Sequence, residues 1–208
     1  MKDSDIPSIA AIIKHDRLKN EWELELINMI DNEIKTILIG PSHERLQLNM
    51  IYKIRSAIGY NFSVYYSDFN LSIIYHNEMN SDYDLLGFNL FQIGYELKES
   101  RITKEIIRLM WILYSKFSPK LIRTMTGDAE RGAPEEEEIN SNKILILDWI
   151  QIFDASYLSD EKLRKAVYSD VVYKSEIIDG KAVYLQLSEK RDYDFEKSLK
   201  KLGYDQKL

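Results

Sequence analysis

The sequence predicts an α+β protein, a single domain in which helices flank an antiparallel sheet. Three observations carry this. Apolar residues recur at helical spacing near the N-terminus and again before Pro119. The period switches from helical to alternating at Asn61 and again at Val171. The resulting order is helix, helix, strands, helix, strands, helix, hairpin, helix, which is not the alternation of a parallel α/β fold.

Residues 1–18 read as an N-terminal arm, loosely attached over Met1 to Lys14, and the domain occupies 19–208. Trp22, Leu26, Ile30, Ile34 and Ile37 make one face of a helix over Lys19–Ile39, and Gly40-Pro41 stops it. Ser42 can cap a second helix whose face is Leu46, Met50, Ile54 and Ile58, ending at Gly59. Alternation in Asn61–Tyr66 and Asn70–His76, around a turn-like Ser67-Asp68-Phe69, predicts an antiparallel hairpin. A polar loop over Asn77–Asp84 follows. Leu86, Phe88 and Leu90 then alternate within Leu85–Leu97, which predicts a strand bent or bulged at Gly87 or Gly94.

Ile102–Phe117 is the most apolar helix, and its width suits packing on a sheet. Lys120–Thr126 is a short strand candidate. Residues 127–142 hold Gly127, Gly132, Pro134 and four consecutive glutamates, so neither period survives and an exposed acidic loop is expected. A loop of that length is either functional or a plain solvated excursion. Lys143–Phe153 reads as a central strand, although a buried helix satisfies the same apolar run. Ser159 can cap a short helix that carries Asp160 and Glu161 in its first turn. Val171–Ile178, Asp179-Gly180 and Lys181–Leu187 form a hairpin with a type I′ turn. On its second strand Val183, Leu185 and Leu187 face one way, and Tyr184, Gln186 and Ser188 the other. A helix over Tyr193–Leu202 closes the chain.

Composition narrows the function. An apolar share of 45% over 208 residues supports a full core without staples. With 28 basic and 34 acidic residues the formal charge is −6, which argues against a sequence-independent grip on nucleic acid and permits a basic protein partner. The absence of cysteine removes disulfides and thiolate chemistry and fits a reducing compartment. The run Ile9 to Ile13 is too short for an export signal, and no apolar run is long enough to span a bilayer, so a cytoplasmic location is expected.

The residues of catalysis are not brought together. His15, His43 and His76 stand far apart, without metal-ligand spacing, and no glycine-rich loop could hold a phosphate. Asp148, Asp154, Asp160 and Glu161 lie close in sequence, but no histidine adjoins them and no second set matches their spacing. The expectation is a binder with no enzymatic activity, cofactor or metal. Its candidate partner-binding residues are Asp128, Glu130, Glu135, Glu136, Glu137 and Glu138, with the tyrosine-rich strands around Tyr65 and Tyr184 as the other place to look.

In the second half, an apolar helix ends in Phe117-Ser118-Pro119 and a strand Leu121-Ile122-Arg123-Thr124-Met125 follows. After a variable loop comes Asp148-Trp149-Ile150-Gln151-Ile152-Phe153, then a short helix and the Asp179-Gly180 hairpin. This order resembles immunity proteins of bacterial polymorphic-toxin and type VI secretion systems, over roughly Thr103–Leu202. The family usually has glycine before the tryptophan, where this chain has Asp148. The resemblance implies a non-catalytic immunity protein that binds and neutralises a cognate toxin in the cytoplasm, nuclease toxins being common partners. An acidic inhibitor also suits the basic cleft of a nuclease. The alternative is a structural or adaptor module of a phage or secretion apparatus.

Overall fold

A computed structural model describes residues 8–18, 22, 25, 26, 28, 54–56, 59–65, 69–76, 82–92, 99–125, 136–189 and 193–204. Among these residues nine strands form one antiparallel sheet: β1 (Ser8–Lys14), β2 (Ile54–Ser56), β3 (Gly59–Tyr65), β4 (Phe69–His76), β5 (Tyr83–Gln92), β6 (Leu121–Met125), β7 (Ile150–Asp154), β8 (Lys174–Ile178) and β9 (Ala182–Gln186). Their order across the sheet is β2-β3-β4-β5-β1-β6-β7-β9-β8. Helices α1 (Glu99–Phe117), α2 (Glu136–Ser141), α3 (Glu161–Val167) and α4 (Tyr193–Lys201) complete a single α+β domain, the predicted class.

The sheet is built around β1. Its sequence SIAAIIK is apolar without alternation, and Ile9 to Ile13 are fully buried. A run of that kind belongs to an inner strand covered on both faces. Accordingly β1 pairs with β5 on one side (Ala11 opposite Leu86) and with β6 on the other (Ala11 opposite Ile122). The loose attachment expected over Met1 to Lys14 is therefore corrected for Ser8–Lys14. Five consecutive apolar residues were too few for an export signal, but they are enough for a central strand.

One face of the sheet carries α1. Ile106, Leu109, Met110, Leu113 and Phe117 are buried along it, while Lys104 and Ser115 are exposed. Trp111 stacks on Tyr184 of β9, with ring centroids 5.8 Å apart at 16°. Trp22 meets Phe117 at 6.2 Å and Tyr75 of β4 at 5.4 Å. The described residues of the predicted first helix, Trp22, Glu25, Leu26 and Asn28, are helical, with Trp22 and Leu26 buried and Glu25 and Asn28 exposed. That is the expected amphipathic division.

The opposite face is covered by later parts of the chain. Ile139 of α2 closes a small cluster with Ala10, Ile12, Leu85 and Met125. The short turn Ala155–Ser159 sets Tyr157 edge-on against Phe153, with centroids 6.0 Å apart. Both faces of β9 are consequently buried, so the expected alternation of Val183 and Tyr184 separates two covered faces rather than core from solvent.

Other expectations shift in detail. The second predicted helix does not reach Ile58, because Ile54–Ser56 is β2, paired with β3 through Ser56 and Gly59; its earlier residues lie outside the described ones. The β3–β4 hairpin is as predicted. β5 shows no bulge at Gly87, which sits in continuous register between Ala10 and Ile74; Gly94 lies outside the described residues. The strand expected over Lys143–Phe153 begins only at Ile150, and Lys143–Trp149 is irregular. The cap of α3 is Asp160, whose carboxylate accepts the Leu163 N–H at 3.0 Å, and not Ser159. In the β8–β9 hairpin Asp179 and Gly180 have φ of 50° and 67°, and the Lys181 N–H donates to the Ile178 carbonyl at 2.9 Å. This is the predicted type I′ turn. Ile178 pairs with Ala182, so Lys181 is an extra residue in the second strand.

Candidate functional site

The six acids expected to meet a partner do not share one environment. Asp128, Glu130 and Glu135 lie outside the described residues. Glu136 and Glu137 are exposed in the first turn of α2, where the helix dipole favours them. Glu138 is fully buried. The expected loop over 127–142 is thus helical across Glu136–Ser141, and one of its acids faces the core.

Glu138 is held by the residues that need it. Its Oε1 accepts from Arg123 Nη1 at 2.9 Å, from the Leu145 N–H at 2.8 Å and from the Ile146 N–H at 3.2 Å. Arg123, itself 1% exposed, also donates to the Ile146 carbonyl at 3.3 Å. The irregular segment after α2 has no strand to pair with here, so this buried ion pair satisfies its backbone instead. Glu138 is therefore a structural residue, and its carboxylate is withdrawn from the surface.

Beside it, Gln151 lies opposite Arg123 in the sheet, and neither its amide nor the Tyr157 hydroxyl has a hydrogen-bond partner among the described residues. Burial raises the pKa of Tyr157 well above the ordinary tyrosine value, and the Glu138 charge adds to the shift.

The clustered acids Asp148, Asp154, Asp160 and Glu161 each have a local structural task. Asp148 accepts the Thr124 hydroxyl at 3.1 Å and the Trp149 N–H at 2.6 Å. Thr124 in turn accepts the Ile150 N–H at 3.0 Å, which anchors the start of β7. Asp154 accepts the Ser156 N–H at 2.8 Å, and Asp160 caps α3. Glu161 pairs with Lys165 at 2.8 Å, and that hydrogen bond lowers its pKa. Among the described residues no group of three or more His, Asp or Glu is placed to hold a metal ion. His15 Nδ1 lies 2.8 Å from the buried carboxylate of Asp84, which also accepts the Tyr75 hydroxyl at 3.1 Å. His43 lies outside the described residues. Among these, no helix is long and apolar enough to cross a membrane.

A concavity that sequence reasoning missed lies at one end of the sheet. It has a volume of about 700 Å³ and is lined from the ends of β1, α1 and β7 and from the β8–β9 turn. Lys14, Arg17, Lys120 and Lys181 contribute four positive charges, against the single carboxylate of Asp154. Asp16, 3.9 Å from Arg17, offsets part of that charge. Lys120 donates to the Ile139 carbonyl and lies 5.3 Å from the Tyr83 ring centroid and 5.7 Å from that of Tyr157. Burial lowers its pKa; Asp154 opposes the shift and Lys14 adds to it. Such a cleft can receive an anionic group. Sequence reasoning could not assemble it, because Lys120 and Lys181 are far from Lys14 and Arg17 along the chain.

The tyrosine-rich strands named as the other place for contacts fare differently. Tyr184 is 3% exposed under Trp111, so it offers no surface, while the side chain of Tyr65 is outside the described ones.

No family model and no curated protein matches the sequence. Among solved structures the chain is similar to a T6SS (type VI secretion system) protein of Pseudomonas aeruginosa, with a TM-score of 0.51 at 12% identity. The match covers 95% of this chain and 76% of the other. At that identity the likeness establishes a shared fold.

Proposed function

We propose that this chain is a non-catalytic immunity protein, which binds a cognate bacterial toxin in the cytoplasm and neutralises it. The observation that carries the reading is the fold shared with a T6SS protein over 95% of the chain. The resemblance of Thr103–Leu202 to immunity proteins points the same way. The structural tasks found for Asp148, Asp154, Asp160 and Glu161 leave no paired acid and base among them, which supports a binder rather than an enzyme. A basic toxin, such as a nuclease, is attracted by the exposed Glu136 and Glu137 together with Asp128, Glu130 and Glu135 of the same acidic segment.

The test is co-expression with the product of each neighbouring gene that is toxic when expressed alone. Growth restored by this chain, together with a stable complex of the two purified proteins, supports the reading. Unrelieved toxicity and no complex reject it. The same likeness supports a second reading, a structural or adaptor module of a secretion apparatus. That reading requires the purified chain to bind a component of the apparatus and its deletion to stop secretion, with no effect on survival of the toxin.

A further inference from the structure

The two edges of the sheet are not alike. β2 is only three residues long, which blunts it as a template for further pairing. β8 is five residues long, carries no proline or bulge, and is exposed from Lys174 to Ile177. One row of its backbone groups pairs with β9, and the alternate row points away from the sheet. The large hydrophobic side chains that stand most exposed among the described residues, Tyr168 at 64%, Tyr173 at 55% and Ile177 at 46%, all lie on this strand or the segment leading into it. Scattered exposed apolar residues carry little meaning, but clustering on an edge that has no further strand beside it among the described residues is the arrangement that a partner strand covers.

We propose that β8 is a self-association edge, which pairs antiparallel with β8 of a second copy about a two-fold axis through Ser175. The residues themselves select the occupant and the register. An antiparallel pair related by a two-fold axis perpendicular to the sheet must be centred on one residue, so that paired side chains share a face. Centring on Lys174 or on Glu176 sets two like charges directly opposite each other, which is destabilising. Centring on Ser175 sets Lys174 opposite Glu176 of the second copy, twice by symmetry. On the other face it sets Tyr173 opposite Ile177, again twice, with small uncharged serines meeting at the axis. Lys174 and Glu176 already share a face, 3.3 Å apart, and both are more than half exposed, so each is free to take a cross-strand partner as well. The charges that would protect the edge against an arbitrary strand are complementary to its own copy when the pair is centred on Ser175; centring on Ile177 opposes no like charges but forms neither charge pair.

The absence of cysteine gives a direct test. Ser175→Cys introduces a single thiol, and directly opposed residues of an antiparallel pair lie within disulfide range. Mild oxidation of the full chain should yield a covalent dimer with this variant and far less with Ser141→Cys, which is exposed elsewhere. Sedimentation of the uncrosslinked chain should show a concentration-dependent dimer. Glu176→Lys should weaken it about tenfold or more, because both charge pairs become repulsive. The double exchange Lys174→Glu with Glu176→Lys restores opposite charges in the same register and should restore the dimer. Thermal melts of each variant establish that the fold is kept; these side chains are exposed, so little change is expected. A chain that stays monomeric at every concentration overturns the proposal. So does equal crosslinking at Ser141, or a double exchange that fails to recover association.

Discussion

Breaking the Arg123–Glu138 pair removes more than one ion pair. The same carboxylate oxygen also receives the N–H groups of Leu145 and Ile146. Removing one partner of a buried pair leaves the other charged and dry, so Glu138→Ala should lower stability by about 3–5 kcal/mol. Replacing both, Arg123→Met with Glu138→Leu, should cost less than either single change, and urea denaturation of the three variants measures the difference. A surface glutamate, as the acidic run implied for Glu138, would cost almost nothing to replace. Tyr184 offers a pH test. Burial under Trp111 pushes its pKa up to about 12, with Tyr173 and Glu176 adding to the shift. A tyrosine whose folded pKa is raised binds its proton more tightly when folded. Its contribution is complete below the ordinary value near 10 and is lost as the pH rises from there towards 12. That loss amounts to roughly 2–3 kcal/mol. Stability should therefore fall between those limits. Tyr184→Phe, which cannot ionise, should flatten that part of the curve in a series of denaturation midpoints.

At the scale of elements, the β8–β9 turn was the clearest local signal and is where the structure agrees best. Asp-Gly is one of the few pairs that accept positive φ at both positions, so local chemistry alone specifies it. No atom lies within 4 Å of a Cβ built at Gly180, so the positive φ rather than crowding at the Cβ opposes Gly180→Val. Its cost should be backbone strain alone, about 1–2 kcal/mol, visible as a lowered melting temperature. The helix α1 and the β3–β4 hairpin were legible for a related reason, since periods of 3.6 and 2 are written into consecutive residues. Lys143–Trp149 was not. Its apolar run says that the segment is buried, but its shape depends on Glu138 and Arg123, brought in from α2 and β6. Ser159 and Asp160 are both good caps, and only the position of the first helical turn chooses between them.

At the scale of the whole molecule, β1 joins the two halves of the sheet. Everything from β2 to β5 lies on one side of it and everything from β6 to β9 on the other. Deleting residues 1–14 should therefore prevent folding, where loss of a loose arm would leave the domain intact. Circular dichroism and gel filtration of the truncated chain distinguish these results. The acidic segment makes a separate prediction about encounter with a toxin. Changing Asp128, Glu130, Glu135, Glu136 and Glu137 to amides should slow association several-fold at low salt and leave dissociation nearly unchanged, as stopped-flow mixing would show. Glu138 is left unaltered in that variant, because changing it would unfold the segment being tested.

The class of fold, the principal helix and both hairpins were legible along the chain, because they follow from periodicity and turn chemistry over short stretches. The central place of Ser8–Lys14 emerges only in the assembled sheet, since a run of five apolar residues is the same whether it ends a tail or lies between two strands. Only the folded structure separated Glu138 from Glu136 and Glu137, because four adjacent glutamates look alike until a buried arginine faces one of them. The cleft of Lys14, Arg17, Lys120 and Lys181, and the open edge at β8, were likewise not legible. Both are made by neighbours far apart along the chain, and which strand lies at the edge is a property of the assembled sheet.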